Sequence, residues 1–585
     1  MASDRHWRLH VLAFWLAAAA LLIWARWQQI RWFGLVDTDD NLRIMQVRAL
    51  LAGQDWFDLR QYRLAPPHGA NVHWSRLVDL PIAGLVIALK PLLGGAAAER
   101  WAVAIAPMLP MAAALLAVAA LARRLVAPLA YPLACALLLC AHSARAMWGP
   151  TRIDHHGWQL ACLAVVALGL TDPNRRRGGV LLGLATATSL AIGLENLIYL
   201  AVAGAAAGLL WIFDAAEHPR LRSYGVALGG GCALGFALFA SQANRLPVCD
   251  AFSPVWLSAM LGFSALAVLL TALPLASWRA RLIAAALGAC VVATAVALAW
   301  PHCLGRLEGV SPELDRLWLS RVREARPIYT HAWLTIASSS ALPVSGLVGY
   351  ALVLWRARSD RAALERWLPL AALGLVSAAL LLWQTRAGPS AQLLAVPGAT
   401  ALAWALVQAA GRLRDTFLQA GAMVAAFCLV AGLAAQGAAE LIPANKSKGA
   451  SRVSRANQTC PTLAALRPIA QQPRGRVLTF VDLGPRLVAV THHDAVAGPY
   501  HRNQAAILDV MRAFRGSDEA ARRTIARRGI DYVLICAGMG ESTIYAAEAK
   551  NGFYAHLAAG RAPDWLAPVP LPRSSPYRMW RVVRR

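Results

Sequence analysis

Charged side chains are scarce in this chain. They make up 15% of 585 residues, and acids are the scarcer sign, 31 Asp and Glu against 57 Lys and Arg. So little charge excludes an ordinary soluble globule, whose surface needs more of it. A Gly-rich nucleotide-cradling loop is also missing, as are internal repeats and low-complexity tracts. The first apolar run ends in Trp24-Ala25-Arg26-Trp27-Gln28-Gln29 rather than in small residues, so it is not read as a cleaved signal peptide. What is present is apolar: 58% of residues are hydrophobic and the mean hydropathy is +0.47. Apolar runs of about 20 residues recur between short basic loops, the pattern of a polytopic helical membrane protein. The 22 Trp residues suit membrane–water interfaces. The net charge of +26 lies mostly between apolar segments, where it sets topology; no nucleic-acid partner is expected.

Arg5 and Arg8 precede a first span over 9–28, so the positive-inside rule places the N-terminus in the cytoplasm. Residues 30–79 then form an outer loop. The next apolar run is interrupted by Lys90-Pro91 and reads as interfacial or re-entrant. Further spans are expected over 101–122, 128–147 and 157–171, then a hairpin over 178–214 that turns near Glu195-Asn196, then a span over 224–241. Two spans flank Arg279 and Arg281, and a long outer loop covers 301–332. The remaining spans are punctuated by Arg356, Arg358 and Arg361, by Arg386, and by Arg412 and Arg414, and the last covers 416–440. The alternation closes with about thirteen spans and an outer C-terminus. The fold class is therefore a polytopic α-helical membrane protein with a C-terminal soluble α/β domain. Residues 1–440 form the membrane domain, 441–459, with Pro443, Lys446 and Lys448, a linker, and 460–585 the soluble domain. In that domain Val477–Val481, Tyr532–Ile535 and Tyr577–Val583 read as strands, and 503–515 and 518–528 as helices. The expected location is the bacterial cytoplasmic membrane.

Six of the ten cysteines lie in apolar spans, and Cys249, Cys303, Cys460 and Cys536 fall on the outer side. An even number in an oxidising compartment permits Cys249–Cys303 and Cys460–Cys536 bridges; free thiols are the alternative, above all for the second pair.

Several outer-face motifs could carry chemistry. Asp37, Asp39 and Asp40 sit just beyond the first span. They read either as catalytic or cation-binding carboxylates or as an acidic helix start. Asp154-His155-His156 offers a carboxylate and an imidazole two residues apart, or merely caps a membrane helix. Glu324, between Arg323 and Arg326, is a further ligand or a surface ion pair. Glu195 is a lesser candidate at the hairpin turn. Arg386 could fork onto phosphate oxygens or snorkel at the interface. His68, His73, Trp74 and Arg76 read as packing and headgroup contacts.

Taken together these motifs resemble those of the catalytic subunit of oligosaccharyltransferase, a GT-C fold membrane glycosyltransferase. That family's first-loop motif has the form Asp-Pro-Trp-Phe-Asn-Tyr-Arg, and Asp37, Asn41 and Arg43 stand at the matching spacing. Asp154-His155-His156 is similar to its second acidic motif. Glu324 followed by Pro327 is similar to its outer-loop Glu, and Arg386 to its lipid-phosphate Arg. Phe480-Val481-Asp482-Leu483-Gly484 stands where the family has Trp-Trp-Asp-Tyr-Gly, with Asn503 following. The loss of both Trp departs from the family's peptide-binding motif.

The resemblance implies transfer of a sugar or glycan from a polyprenyl-phosphate or -diphosphate donor to an acceptor outside the membrane. Mg²⁺ or Mn²⁺ would be held by Asp37, Asp154, His156 and Glu324. Arg386 and Arg43 would contact the donor phosphate, and Phe480, Asp482 and Asn503 would lie on the acceptor side. The acceptor itself is not implied. The alternatives are a polyprenyl-monophosphate-sugar transferase acting on lipid or polysaccharide, a lipid-linked sugar transporter, which would place its polar groups near the bilayer midplane, and a structural or assembly protein.

Overall fold

The computed structural model describes residues 6–443 and 448–584; Arg5 and Lys446 lie outside them. Long apolar helices fill the chain up to Glu440, and a small sheet follows. Among the described residues seven helices are long and apolar enough to cross a membrane, or eight if the bent pair Thr416–Val430 and Leu433–Glu440 is one span. The expected thirteen is not confirmed, for identifiable reasons. The run at 128–147 breaks at Ala141 into Tyr131–Cys140 and His142–Ala146. His156–Leu170 and Leu197–Phe213 are short. Arg175–Ile192 spends its first turn on three arginines. The last apolar run bends by 75° at Gly432, whose φ of 76° suits a residue without Cβ.

Several helices show wide apolar faces to the outside. Ile283, Leu287 and Val291 of Trp278–Ala299 are all exposed, a face that suits lipid and not water. Inside the bundle, small residues set close crossings. Gly349 of Trp333–Arg356 faces Gly398 of Gly388–Ala410 so closely that a Cβ would overlap the Gly398 carbonyl. The hairpin turn falls where expected, between Arg175–Ile192 and Leu197–Phe213.

The C-terminal sheet has strands β1 (Arg476–Leu478), β2 (Asp494–Ala495), β3 (Tyr532–Cys536), β4 (Leu566–Pro568) and β5 (Tyr577–Val582), in the order β2-β1-β3-β5-β4. β1 runs parallel to β2 and β3, and β5 runs antiparallel to β3 and β4. β3 is buried at every residue, as its unbroken apolar sequence requires. The helices expected over 503–515 and 518–528 are Gln504–Arg515 and Asp518–Arg528. β1 is shorter than expected, because the chain turns after Leu478. Part of the stretch read as a linker, Lys448–Thr459, is helical.

The sheet domain is seated on the first loop. Ala65 donates to the Ala495 carbonyl at 2.9 Å and Ala495 donates to the Arg63 carbonyl at 3.0 Å, so the loop extends the β2 edge. Arg63 also donates to the carbonyls of Val488 and Thr491 at 2.9 and 2.8 Å. Leu42, Ile44, Val47 and Leu64 share one apolar core with Val477, Phe480 and Leu487. Two disulfides form, Cys249–Cys303 and Cys460–Cys536. The second closes 76 residues, so it removes much freedom from the unfolded chain. Cys460→Ser is expected to lower the stability of the sheet domain by about 3 kcal/mol, read as an earlier melt of the purified full chain. An unchanged melt would mean that the bridge adds no constraint.

Candidate functional site

Asp37 is the N-cap of the helix Thr38–Leu51. Its Oδ1 accepts from Asp39 N at 2.8 Å, and Asp37 N donates to Asp40 Oδ2 at 3.0 Å, a reciprocal capping box. The acidic helix start is therefore real. It is also half of a larger cluster. The turn before His156–Leu170 brings Asp154 against it, with Asp154 N donating to Asp40 Oδ1 at 3.0 Å. Arg152 stands between the two segments. Its guanidinium pairs with Asp37, with Asp40 at 3.3 Å and with Asp154 at 3.2 Å.

Imidazoles complete the cluster. His156 Nε2 lies 3.4 Å from Asp154 Oδ2. His155 Nδ1 meets Asp154 Oδ1 at 2.5 Å and its Nε2 meets Glu195 Oε1 at 2.8 Å. Gln159 donates to the other Glu195 oxygen at 2.6 Å. Burial alone would lower the His155 pKa, but Asp154 and Glu195 flank the ring and push it up to about 10. It therefore keeps its charge at neutral pH. Burial pushes Asp40 up to about 7; Arg152 opposes this, and Asp37 and Asp154 add to it. Carboxylates outnumber their cations here, which favours a further positive charge.

Beneath the cluster Asp79 is fully buried. It accepts from Arg43 at 2.9 Å and Arg76 at 3.3 Å. Arg43 is 1% exposed and lies 4.3 Å from the Trp74 ring centroid, so the expectation of a donor-phosphate contact fails for it: its guanidinium is committed to Asp79. Arg486 of the sheet domain donates to Asn41 Oδ1 at 3.2 Å and Tyr500 Oη to the Thr38 carbonyl at 3.0 Å.

The structure thus brings together Asp37, Asp39, Asp40, Asp154 and His156. It does not bring Glu324, which is 66% exposed and pairs with Arg386 at 3.6 Å. Among the described residues Glu324 has no hydrogen bond or ion pair to the acidic cluster. Arg386 remains half exposed and open to an anion. On the acceptor side, Phe480 is a core residue, packed against Phe514, Tyr545 and Tyr554. Asp482 is exposed. Asn503 exchanges hydrogen bonds with the Asn71 backbone at 2.8 and 2.9 Å and serves to dock the domain. Sequence reasoning missed Arg152 and the placement of His73, whose Nε2 lies 3.8 Å from Glu195. A basic residue two positions before an acidic motif was the available signal for Arg152.

No protein-family description matches the chain and no curated protein matches it in sequence. Solved structures do match in shape. The archaeal oligosaccharyltransferase AglB from Archaeoglobus fulgidus, in complex with an inhibitory peptide and a dolichol-phosphate, superposes with a TM-score of 0.66. It is 14% identical, over 97% of this chain and 73% of that one. The chain has a GT-C fold. A second structure of the archaeal enzyme, with Zn and sulfate, matches with a TM-score of 0.59 and 14% identity, over 92% of this chain and 70% of that one. The arabinofuranosyltransferase AftD from mycobacteria matches with a TM-score of 0.50 and 15% identity, over 100% of this chain and 40% of that one. With seven or eight helices long and apolar enough to cross a membrane among the described residues, the chain is a multi-pass membrane protein, and its acidic cluster is assembled from its first loop and from the start of His156–Leu170.

Proposed function

We propose that the chain is a membrane glycosyltransferase that moves a sugar from a polyprenyl-linked phosphate donor to an acceptor on the extracytoplasmic side. The observation that carries this reading is the meeting of Asp37 with Asp154 and His156 through Arg152, across more than a hundred residues of chain. Charged groups of that density at the end of a helix bundle are costly unless they serve chemistry.

Asp154 and His156 would hold Mg²⁺ or Mn²⁺, which would supply positive charge to the departing phosphate when bound. In the reaction the bond from the anomeric carbon to the phosphate oxygen breaks, and the electron pair leaves with the phosphate. The acceptor attacks the opposite face and gives its proton to Asp37, whose carboxylate is half exposed and so can be reached. Arg386 receives the lipid phosphate with its guanidinium fork, exchanging Glu324 for the anion. Arg152 holds the three carboxylates in register and offsets their repulsion. His155, kept cationic by Asp154 and Glu195, adds positive charge behind them.

One observation favours a non-peptide acceptor. Phe480 and Val481, which occupy the place of the two tryptophans of the peptide-reading motif, are 0% and 1% exposed. The second reading is therefore transfer from a polyprenyl monophosphate sugar to lipid or polysaccharide.

The test uses the full chain in nanodiscs with Mn²⁺, labelled sugar on a polyprenyl monophosphate or diphosphate, and native cell-envelope extract as the acceptor source. Release of polyprenyl phosphate from the monophosphate donor, or of polyprenyl diphosphate from the diphosphate donor, lowered at least tenfold by a chelator, is expected. If both donors stay intact, or cross the bilayer unchanged, the transferase reading is lost.

A further inference from the structure

A second group of ligand-type side chains lies beyond Glu195, outside the acidic cluster. His73 comes from the first loop, Asp250 from the loop before Pro254–Ala272, and His501 from the sheet domain. One ligating atom from each lies within 4.8 Å of the other two. His501 Nε2 contacts Asp250 Oδ2 at 2.5 Å, and the His73 and His501 ring centroids are 5.2 Å apart.

From this juxtaposition we propose a metal site of the zinc class, with His73, Asp250 and His501 as ligands, that ties the sheet domain to two loops of the membrane domain. Two imidazole nitrogens and one carboxylate oxygen form a donor set that zinc accepts and that magnesium, which prefers oxygen, does not. Ligands on tetrahedral zinc stand about 3.3 Å apart, from metal–ligand bonds of about 2.0–2.1 Å. The observed spacing needs side-chain adjustment only. A metal would replace the hydrogen bond between His501 Nε2 and Asp250 Oδ2.

The surroundings are those of a held site. Arg502 donates through Nε to Asp250 Oδ2 and through Nη2 to Oδ1, both at 2.7 Å. Its Nη1 donates to Asn244 Oδ1 at 2.7 Å. Each carboxylate oxygen keeps a lone pair beyond the one Arg502 takes, so the fork orients Asp250 without blocking it. The neighbouring Cys249–Cys303 bridge fixes the loop. Glu195 Oε1, 3.8 Å from His73 Nε2 and bonded to His155, orients the His73 ring from outside the ligand set. The three ligands are partly exposed, which leaves an entry path. A third grouping, Cys249, His302 and Cys303, offers no thiolate because the two cysteines are bridged.

The experiment measures bound zinc in the full-length purified protein after equilibration with zinc and desalting. The acidic cluster is first silenced by Asp37→Asn, Asp154→Asn and His156→Gln. That variant is expected to retain about one zinc per chain and to melt higher with zinc than without. Adding His73→Gln and His501→Gln should reduce the zinc at least tenfold and abolish the zinc-dependent rise. X-ray absorption at the zinc edge of the silenced variant should show two imidazole nitrogens, a readout that does not require the five-fold variant to fold. A silenced variant that holds no zinc overturns the site, as does retention after both histidines are replaced, or an oxygen-only shell.

Discussion

Asp37→Ala is expected to lower sugar transfer by at least about a thousandfold, roughly 4 kcal/mol in the barrier, while the protein still folds. The carboxylate is 41% exposed and its structural task is to cap one helix. Losing that cap costs about 1 kcal/mol. Asparagine separates the two roles, because it caps as well as aspartate but carries no charge. Asp37→Asn should therefore melt like the parent chain and be as inactive as Asp37→Ala. Release of polyprenyl phosphate and thermal melting, measured on the same preparations, check this. An active Asp37→Asn would reduce the residue to a helix cap and move the search for the proton acceptor to Asp39 and Asp154.

Asp79→Ala should produce the largest loss of stability. Asp79 and Arg76 are both 0% exposed in their side chains and Arg43 is 1%. Removing the carboxylate leaves two guanidiniums buried with no counter-charge, a change worth about 3–5 kcal/mol. Arg43 Nη2 also lies 3.5 Å from His155 Nδ1, so a guanidinium freed from Asp79 adds repulsion beside the cationic ring and disturbs the acidic cluster. The expected result is a sharp fall in folded yield and an early melt of what remains, with transfer falling alongside. Asp79→Asn, which still accepts hydrogen bonds, should lie between the two. A melt unchanged in Asp79→Ala would show that water reaches the two arginines.

Much of this architecture was legible in the residues because it follows from local rules. Hydrophobic length marked the helices, the buried apolar run Tyr532–Cys536 marked the central strand, and the acids on either side of the first spans marked the cluster. The hairpin turn at Glu195 was visible because a carboxylate interrupts an apolar stretch. What was not legible depends on where helices break and on which charge meets which. Ala141 ends the apolar helix Tyr131–Cys140, and the short helix after it, His142–Ala146, carries His142, Ser143 and Arg145, which a window averaged over 128–147 dilutes. Arg152 stands in the outer turn as one more exposed-looking basic residue, and only the fold brings Asp37 and Asp40 against it. Glu324 and Arg386 read in the sequence as ligand and phosphate contact, and the fold pairs them with each other. Phe480 lies in the stretch Val477–Val481 expected as a buried strand while the resemblance puts it on the acceptor side, and it packs in an aromatic core.

The strand-like bridge between Leu64 and Ala495 constrains how such chains diversify. Because the first loop supplies an edge to the terminal sheet and also carries the reactive helix, the two cannot be exchanged separately. A graft of a foreign tail must import residues of the loop with it, or the recipient inherits a mismatched edge beside its own acids. Loop and tail, sharing one sheet edge and one apolar core, are expected to tolerate replacement only as a pair.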